Sequence, residues 1–471
     1  MELTLRLTHA GAAQIARLPI VKVARDRPAR SRAETIVWHD GAGGELAARG
    51  LAFAECRGVW RMTRHWPAPD EIWPPGHPPV DVVDGVPDVV PSGGLVPRAR
   101  FDGRRTVFAL TIDGGPVAMT LLTGTLRAGT AERPVARLTL SGAMAAVRVF
   151  VADLSDAIPL EVPAESLAME AARLAGGVPP RPAGASTALV PGLPAETAFA
   201  HIIGYLTETL IALAPDAARG GPDTEPVHRL RVAVRRARSA LSLFAAIVPD
   251  PLLPGVADGL RALGQVLGPA RDWDVFATET LPPIQAALPG RPALASLERA
   301  AARKRVAAHQ TLTAWLDSPG YRRLILDLAC LAAADPPPAG GTDLTAAATA
   351  ILTTLWKKTR RTGRAADELD NPGLHALRLK AKRIRYAAEF FAPLFPRKPA
   401  ARFIRRLSAL QERLGVFNDS AVVEALLATL DRANGQAAGL VLGFSAARAA
   451  GIRPKILAAW DRLQKRDPFW T

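Results

Sequence analysis

Two eleven-residue segments carry the most chemically loaded pattern in the chain. Residues 228–238 read His228-Arg-Leu-Arg231-Val-Ala-Val-Arg235-Arg-Ala-Arg238, and residues 375–385 read His375-Ala-Leu-Arg378-Leu-Lys-Ala-Lys382-Arg-Ile-Arg385. Both fit His-x2-Arg-x3-Arg/Lys-x2-Arg, and the second copy lies 147 residues after the first. A second pair, Leu267-Gly268-x2-Arg271-Asp272 and Leu414-Gly415-x2-Asn418-Asp419, has the same separation. Two unrelated motifs sharing one offset mark an internal duplication. Repeated guanidinium groups at regular spacing hold an anion by charge and by bidentate hydrogen bonds, so the chemistry implied is the multivalent grip of a polyanion.

At 100° per residue, positions 0, 3, 7 and 10 of each copy fall within a stripe about 80° wide. One stripe carries His228, Arg231, Arg235 and Arg238; the other carries His375, Arg378, Lys382 and Arg385. The adjoining face holds Leu230, Val234, Ala237, Leu241 and Phe244 in the first copy. Leu377, Ala381, Ile384, Ala388 and Phe391 match them in the second, which predicts two amphipathic helices. Tyr386 falls beside the second stripe. Cations at i, i+3 and i+4 repel, and no carboxylate lies within either stripe. Each stripe spans about 15 Å of helix, room for several successive phosphates.

The competing reading is a pair of solvated faces, or cations neutralised by carboxylates of other helices. Each histidine is either a phosphate donor, stronger when protonated, or a core residue orienting a carboxylate such as the Asp of the Leu-Gly motif. Neighbouring cations disfavour it as a metal ligand. Secondary binding positions are Arg236, Arg271, Lys357, Arg361, Arg383, Tyr386, Arg406 and Arg413. The remaining basic clusters, including Arg299, Arg303, Lys304, Arg305, Arg402 and Arg405, read as solvated faces. Leu267-Gly268-Pro269 before Asp272 reads as a helix exit followed by an N-cap. Asp272 and Asp419 are also a conceivable carboxylate pair on a metal, but nothing else supports a catalytic dyad. We expect no catalytic residue, bound metal or cofactor.

The elements that position these residues follow from composition and periodicity. From residue 195 onward Ala and Leu recur at helical spacing, and Lys plus Arg outnumber Asp plus Glu by 38 to 25; residues 1–194 are nearly balanced, at 21 to 19. The basicity therefore belongs to the helical half. Residues 2–7, 106–112, 117–122 and 135–140 read as short strands separated by turns such as Asp113-Gly-Gly-Pro116. Segment 67–97 is a Pro-rich excursion, and 335–341 divides the helical half in two. The organisation expected is a β-rich domain over 1–175, a linker over 176–194 and a helical domain over 195–471, with halves 195–334 and 342–471. Those halves are expected to be helical bundles related by a pseudo-twofold. No apolar run is long enough to span a membrane. Cys56 and Cys330 cannot form a disulfide framework, and the N-terminus lacks the pattern of a secretory signal. We expect a cytoplasmic protein.

The two basic motifs, Leu-Gly-x2-Arg-Asp-x-Asp and Lys382-Arg-Ile-Arg-Tyr386 together resemble the conserved-histidine α-helical domain (CHAD) family over 195–471. That resemblance implies two four-helix bundles around a basic surface, binding of inorganic polyphosphate and association with polyphosphate granules. It carries binding roles to His228, Arg231, Arg235, Arg238, His375, Arg378, Lys382 and Arg385. The layout of strands followed by helices resembles a CYTH domain, an antiparallel β-barrel or tunnel that hydrolyses triphosphates with Mg²⁺, placed before a CHAD domain. The CYTH catalytic pattern is eroded. Its opening Glu-x-Glu-x-Lys reads Glu2-Leu-Thr4-Leu-Arg6, its Arg-x-Arg reads Ala54-Glu-Cys56, and its late Glu-x-Glu reads Arg137-Leu-Thr139. The Asp expected before Gly124 is absent. Hard cations need clustered carboxylates, so the expectation is a degenerate, catalytically silent CYTH-like domain.

The function expected is polyphosphate binding without chemistry, on granules and away from membranes. The alternatives are CYTH-type triphosphatase or polyphosphatase activity, and nucleic-acid binding by the basic surface. The latter is disfavoured because no aromatic residues interleave the stripes to stack bases.

Overall fold

The computed structural model describes residues 1–65, 80–83, 94–177, 189–333, 341–364, 366–431, 435–465 and 467–471. Most of the Pro-rich excursion over 67–97, the centre of the 176–194 linker and residues 335–340 of the 335–341 break lie outside the described residues. The chain divides into two compact units.

The first unit is built on a curled antiparallel sheet of eight strands: β1 (Glu2–Arg6), β2 (Arg30–Asp40), β3 (Leu51–Cys56), β4 (Val59–Arg64), β5 (Val80–Val83), β6 (Val96–Ile112), β7 (Gly115–Ala128) and β8 (Ala131–Gly142), in the order β1-β8-β7-β6-β2-β3-β4-β5. All four strand-like runs of the sequence fall in β1, β6, β7 and β8. The β6–β7 hairpin turns on Asp113-Gly114, flanked by the Ile112–Gly115 pair. Gly114 has φ +101°, a region that only glycine enters without strain, and Asp-Gly is the usual pair for such a tight hairpin. Helices α1 (His9–Gln14), α2 (Pro19–Ala24), α3 (Glu45–Ala48), α4 (Met144–Ala157) and α5 (Leu167–Leu174) accompany the sheet. Alternation along β1 and β8 buries Leu3, Leu5, Leu138 and Leu140, while α4 contributes Val147, Phe150 and Leu154 to the same core. On α5, Ala171 joins a cluster with Trp38, Phe101, Leu126 and Val135. The same unit includes Thr197–Ala212 of α6 (Ala195–Arg219) and all of α11 (Pro319–Ala332).

The second unit is helical. It contains α7 (Glu225–Phe244), α8 (Leu253–Val275), α9 (Leu281–Ala287), α10 (Pro292–Leu316), α12 (Leu344–Gly363), α13 (Asn371–Phe391), α14 (Arg397–Ala428), α15 (Gly435–Ala450) and α16 (Ile452–Gln464). The packing of α7 on α8 recurs as α13 on α14, and α7 packs on α13. Phe244 meets Phe391 with ring centroids 5.7 Å apart. These two residues are equivalent under the 147-residue offset, so the pseudo-twofold passes between them. A second core joins the halves through Trp273, Phe276, Leu297, Val423 and Val441.

One expectation fails. Leu267-Gly268-Pro269 is not a helix exit, because α8 runs unbroken to Val275 and α14 runs unbroken through Gly415. A proline inside a helix removes one hydrogen bond and crowds the preceding turn. Gly268 has no Cβ to clash with the Pro269 ring, and burial of Leu267, Ala270 and Trp273 offsets the lost bond. Asp272 and Asp419 are therefore mid-helix residues, not caps.

At the end of α12, Gly363 lies against the indole of Trp460 on α16, and an added Cβ would overlap that ring. Overpacking of this kind costs about 1–3 kcal/mol. Gly363→Ala is expected to lower the unfolding free energy by that amount, read as a lower urea midpoint at an unchanged m-value; a midpoint equal to wild type would contradict this packing.

Candidate functional site

The core faces of α7 and α13 are buried as the helical period requires: Leu230, Val234, Ala237, Leu241 and Phe244 on one, Leu377, Ala381, Ile384, Ala388 and Phe391 on the other. Their apolar seam brings the two basic stripes together. Lys382 shows this most directly. Its ammonium is pushed down to about 7, first by burial and then by Arg235, Arg378, Arg231 and Arg238. Three of those arginines come from α7 and one from α13, and the charges acting most strongly on Lys382 are all positive. Arg235 and Arg385 both stand over the Tyr386 ring, at 5.3 and 5.1 Å from its centroid. Burial is also the first cause of the lowered values of Arg235 and Arg378.

Carboxylates meet the stripes at their margins. Arg231 lies 3.9 Å from Asp272, and Arg385 pairs with Glu389 at 2.8 Å. Glu389 sits one turn beyond the motif, so the end of the α13 stripe has a carboxylate neighbour although none lies within the stripe. Burial raises Asp272 above the ordinary carboxylate range against the pull of Arg231 and Arg271. Partial desolvation likewise raises Asp419, which also feels Arg378, Arg448, Glu279 and Asp272. Both Asp residues of the duplicated Leu-Gly motif thus border the basic site, a role the sequence left open.

Arg235 Nε, Arg385 Nε and Tyr386 Oη are buried with no hydrogen-bond partner among the described residues. The Arg385 guanidinium and Tyr386 hydroxyl approach one another but fall short of bonding geometry. Buried donors without acceptors are costly, and here they gather around one ring.

The histidines differ. His228 is half-buried, and burial followed by Arg271, Arg235 and Arg231 pushes it below its ordinary value, so at pH 7 it is a neutral imidazole rather than a cation. His375 is exposed. Among the secondary positions, Arg236 stacks over Phe390 at 5.3 Å and Arg383 Nη2 donates to Ser242 Oγ. These two arginines are duplicates of one another, and each ties its helix to the other. Arg271 pairs with Glu279 at 3.0 Å. Arg413 donates back to the Ala409 carbonyl. Arg238, Lys357 and Arg361 are exposed and Arg406 half-exposed; the last three make no ion pair or hydrogen bond with either stripe among the described residues.

Arg305, read from sequence as a solvated cation, instead donates through Nε to Asp274 Oδ1 at 2.6 Å and through Nη2 to the Gly221 carbonyl at 2.7 Å. Asp274 is fully buried and also meets His309 Nε2 at 2.9 Å. This network straps α10 to α8 and to the loop before α7. The available signal was the second Asp of Leu-Gly-x2-Arg-Asp-x-Asp, which the other copy replaces with Ala421.

In the sheet, register places Thr4 directly opposite Thr139, and their hydroxyls lie 3.1 Å apart. These are two positions at which the CYTH pattern carries carboxylates. Arg6 pairs with Glu161, and buried Arg137 pairs with Glu170 at 2.6 Å. Among the described residues no three His, Cys, Asp or Glu side chains gather as a metal-binding group.

A lysine held near 7 in the fold and near 10.5 when unfolded binds fewer protons folded than unfolded, so stability rises with pH between those values. Its destabilising effect is complete below pH 7 and shrinks above it. Lys382→Met is therefore expected to raise the melting temperature more at pH 6 than at pH 9, in low salt without phosphate. An equal shift at both pH values would show that Lys382 is not held in this cationic environment.

Residues 202–428 match the family profile of the CHAD domain. The chain is similar to the crystal structure of the CHAD domain from the plant Ricinus communis, at 31% identity and a TM-score of 0.51, covering 60% of this chain and 95% of that one. PptA from Streptomyces chartreusis aligns at 16% identity and a TM-score of 0.46, over 57% of this chain and 99% of that one. HpAC1 from Hippeastrum, described as an adenylyl cyclase with a dominant triphosphatase activity, aligns at 15% identity and a TM-score of 0.27, over 38% of this chain and 97% of that one. No curated protein matches the chain. The curled antiparallel sheet is compatible with a CYTH-like fold. With a duplicated basic helix, a matching profile and a relative at 31% identity spanned almost end to end, the chain belongs to the CHAD family.

Proposed function

We propose that the chain binds inorganic polyphosphate along the paired stripes of α7 and α13, in the cytoplasm and on polyphosphate granules, and does not hydrolyse it. The observation that carries this reading is the environment of Lys382, half-buried among four arginines drawn from both copies of the motif. A chain of phosphates laid along the seam would supply the negative charge that the site lacks. The flanking Asp272, Asp419 and Glu389 would limit how far it extends. Nucleic acid fits less well: Tyr386, the aromatic ring beside the stripes, is 4% exposed and engaged by two guanidinium groups, so it has no free face for a base.

An anion over Lys382 favours its charged form, so binding takes up a proton and weakens as pH rises through 7. Long-chain polyphosphate is expected to bind several-fold, up to about tenfold, more tightly at pH 6 than at pH 8, and less tightly as salt rises. Lys382→Arg should flatten the pH profile while keeping binding, and reversal of Arg231, Arg235, Arg378 and Arg385 to Glu should abolish retention on immobilised polyphosphate. Equal retention of the reversed variant, or displacement of polyphosphate by RNA at equal phosphate concentration, would overturn the reading.

The absence of hydrolysis is supported by Thr4 and Thr139, whose paired hydroxyls carry no charge to hold a divalent cation. Incubation with tripolyphosphate and Mg²⁺ or Mn²⁺ is expected to release no phosphate above the buffer blank. Release that is lost on Arg137→Ala would instead establish CYTH-type hydrolysis.

A further inference from the structure

The first compact unit holds a cavity of about 240 Å³ bordered by β2, β3 and α5. Trp38, on the face of the sheet that meets α5, borders it together with Ala168 and Ala172 of α5, which present nothing beyond Cβ; Phe53, stacked on Trp60, borders it as well. Asp40 also borders it, but its carboxylate already accepts from the backbone N–H groups of Gly41, Leu46 and Ala47 at 2.7–2.9 Å. Three further titratable side chains border it: His39, edge-on to the Trp60 ring, Arg98 and His65. Arg98 makes only long bonds to carbonyls, 3.3 Å to Ala42 and 3.4 Å to Ala175, with no carboxylate at ion-pair distance among the described residues. His65 is 2% exposed, and neither ring nitrogen has a partner among the described residues.

We propose that this cavity binds a small aromatic carboxylate, with its ring between Trp38 and the alanine face of α5 and its carboxylate on Arg98. An apolar cavity of roughly 150 Å³ accepts benzene, so this one has room for one or two fused rings. The Trp38 ring favours an aromatic guest through offset or edge-to-face contact, and a half-exposed guanidinium with no carboxylate partner among the described residues matches a carboxylate in geometry and charge. His65 sets the polarity of the inner end. Burial drives its value to about 4 despite Asp40 and Glu165, so at pH 7 it offers one N–H and one lone pair to a neutral group. The guest therefore carries its charge at one end only.

Isothermal titration of the full chain with 2-naphthoate in phosphate-free buffer tests the proposal. One saturable site per chain is expected, with binding at least tenfold weaker for 2-naphthalenemethanol and for Arg98→Gln, and abolished in Ala172→Trp. No saturable binding of 2-naphthoate would overturn it. So would wild-type affinity in either variant, equal binding of the alcohol, or displacement of the naphthoate by tripolyphosphate. Should Ala172→Trp fail to fold by circular dichroism, Arg98→Gln, altering a half-exposed side chain, decides the question alone.

Discussion

Crowding of like charge at the crossing of α7 and α13 is the constraint on which the rest of the helical unit depends. Each stripe on its own is an ordinary cationic helix face, and each would be hydrated and weakly repulsive. Packing the two helices places Lys382 among Arg231, Arg235, Arg238 and Arg378 and removes part of the water that screened them. The apolar seam makes this possible. A buried Phe contributes roughly 1.5–3 kcal/mol, against roughly 0.2–0.5 kcal/mol for one exposed like-charge pair on a helix. Phe244 and Phe391, with the Leu, Val, Ile and Ala residues above them, therefore hold the helices together against the charges they carry.

Duplication explains how the seam is built. Equivalent residues meet across the pseudo-twofold at Phe244 and Phe391. Equivalent arginines, Arg236 and Arg383, each reach over to the opposite helix. The copies have diverged around this shared centre. His228 is half-buried and neutral while its counterpart His375 is exposed, and the Asp274–Arg305–His309 network has no equivalent at Ala421. One half of the site is thus braced by an ion pair on buried Asp274, where the other half carries Ala421.

Holding a polyanion and holding a divalent cation make opposite demands on charge, and the two units differ in the charge they gather. Mg²⁺-dependent phosphate chemistry needs a cluster of carboxylates, whereas two of the positions where the CYTH pattern would carry them form a hydroxyl pair, Thr4 and Thr139. The helical unit does the reverse: it concentrates cations and keeps its carboxylates at the margin, on Asp272, Asp419 and Glu389.

Local physics was legible without coordinates. The 3.6-residue period of α7 and α13 identified both core faces, Asp113-Gly114 announced its hairpin, and the common offset of 147 exposed the duplication. These depend on spacing along one element, which sequence states directly. Gly268-Pro269 was misread because burial of Leu267, Ala270 and Trp273 outweighs a local helix-breaking signal. Asp274, Arg305 and His309 stayed hidden because their contacts join segments up to 84 residues apart. Sequence by itself determined which residues line each stripe. Only the tertiary structure decided that the stripes meet over Lys382, because desolvation and the sum of charges from two helices exist only once those helices are packed.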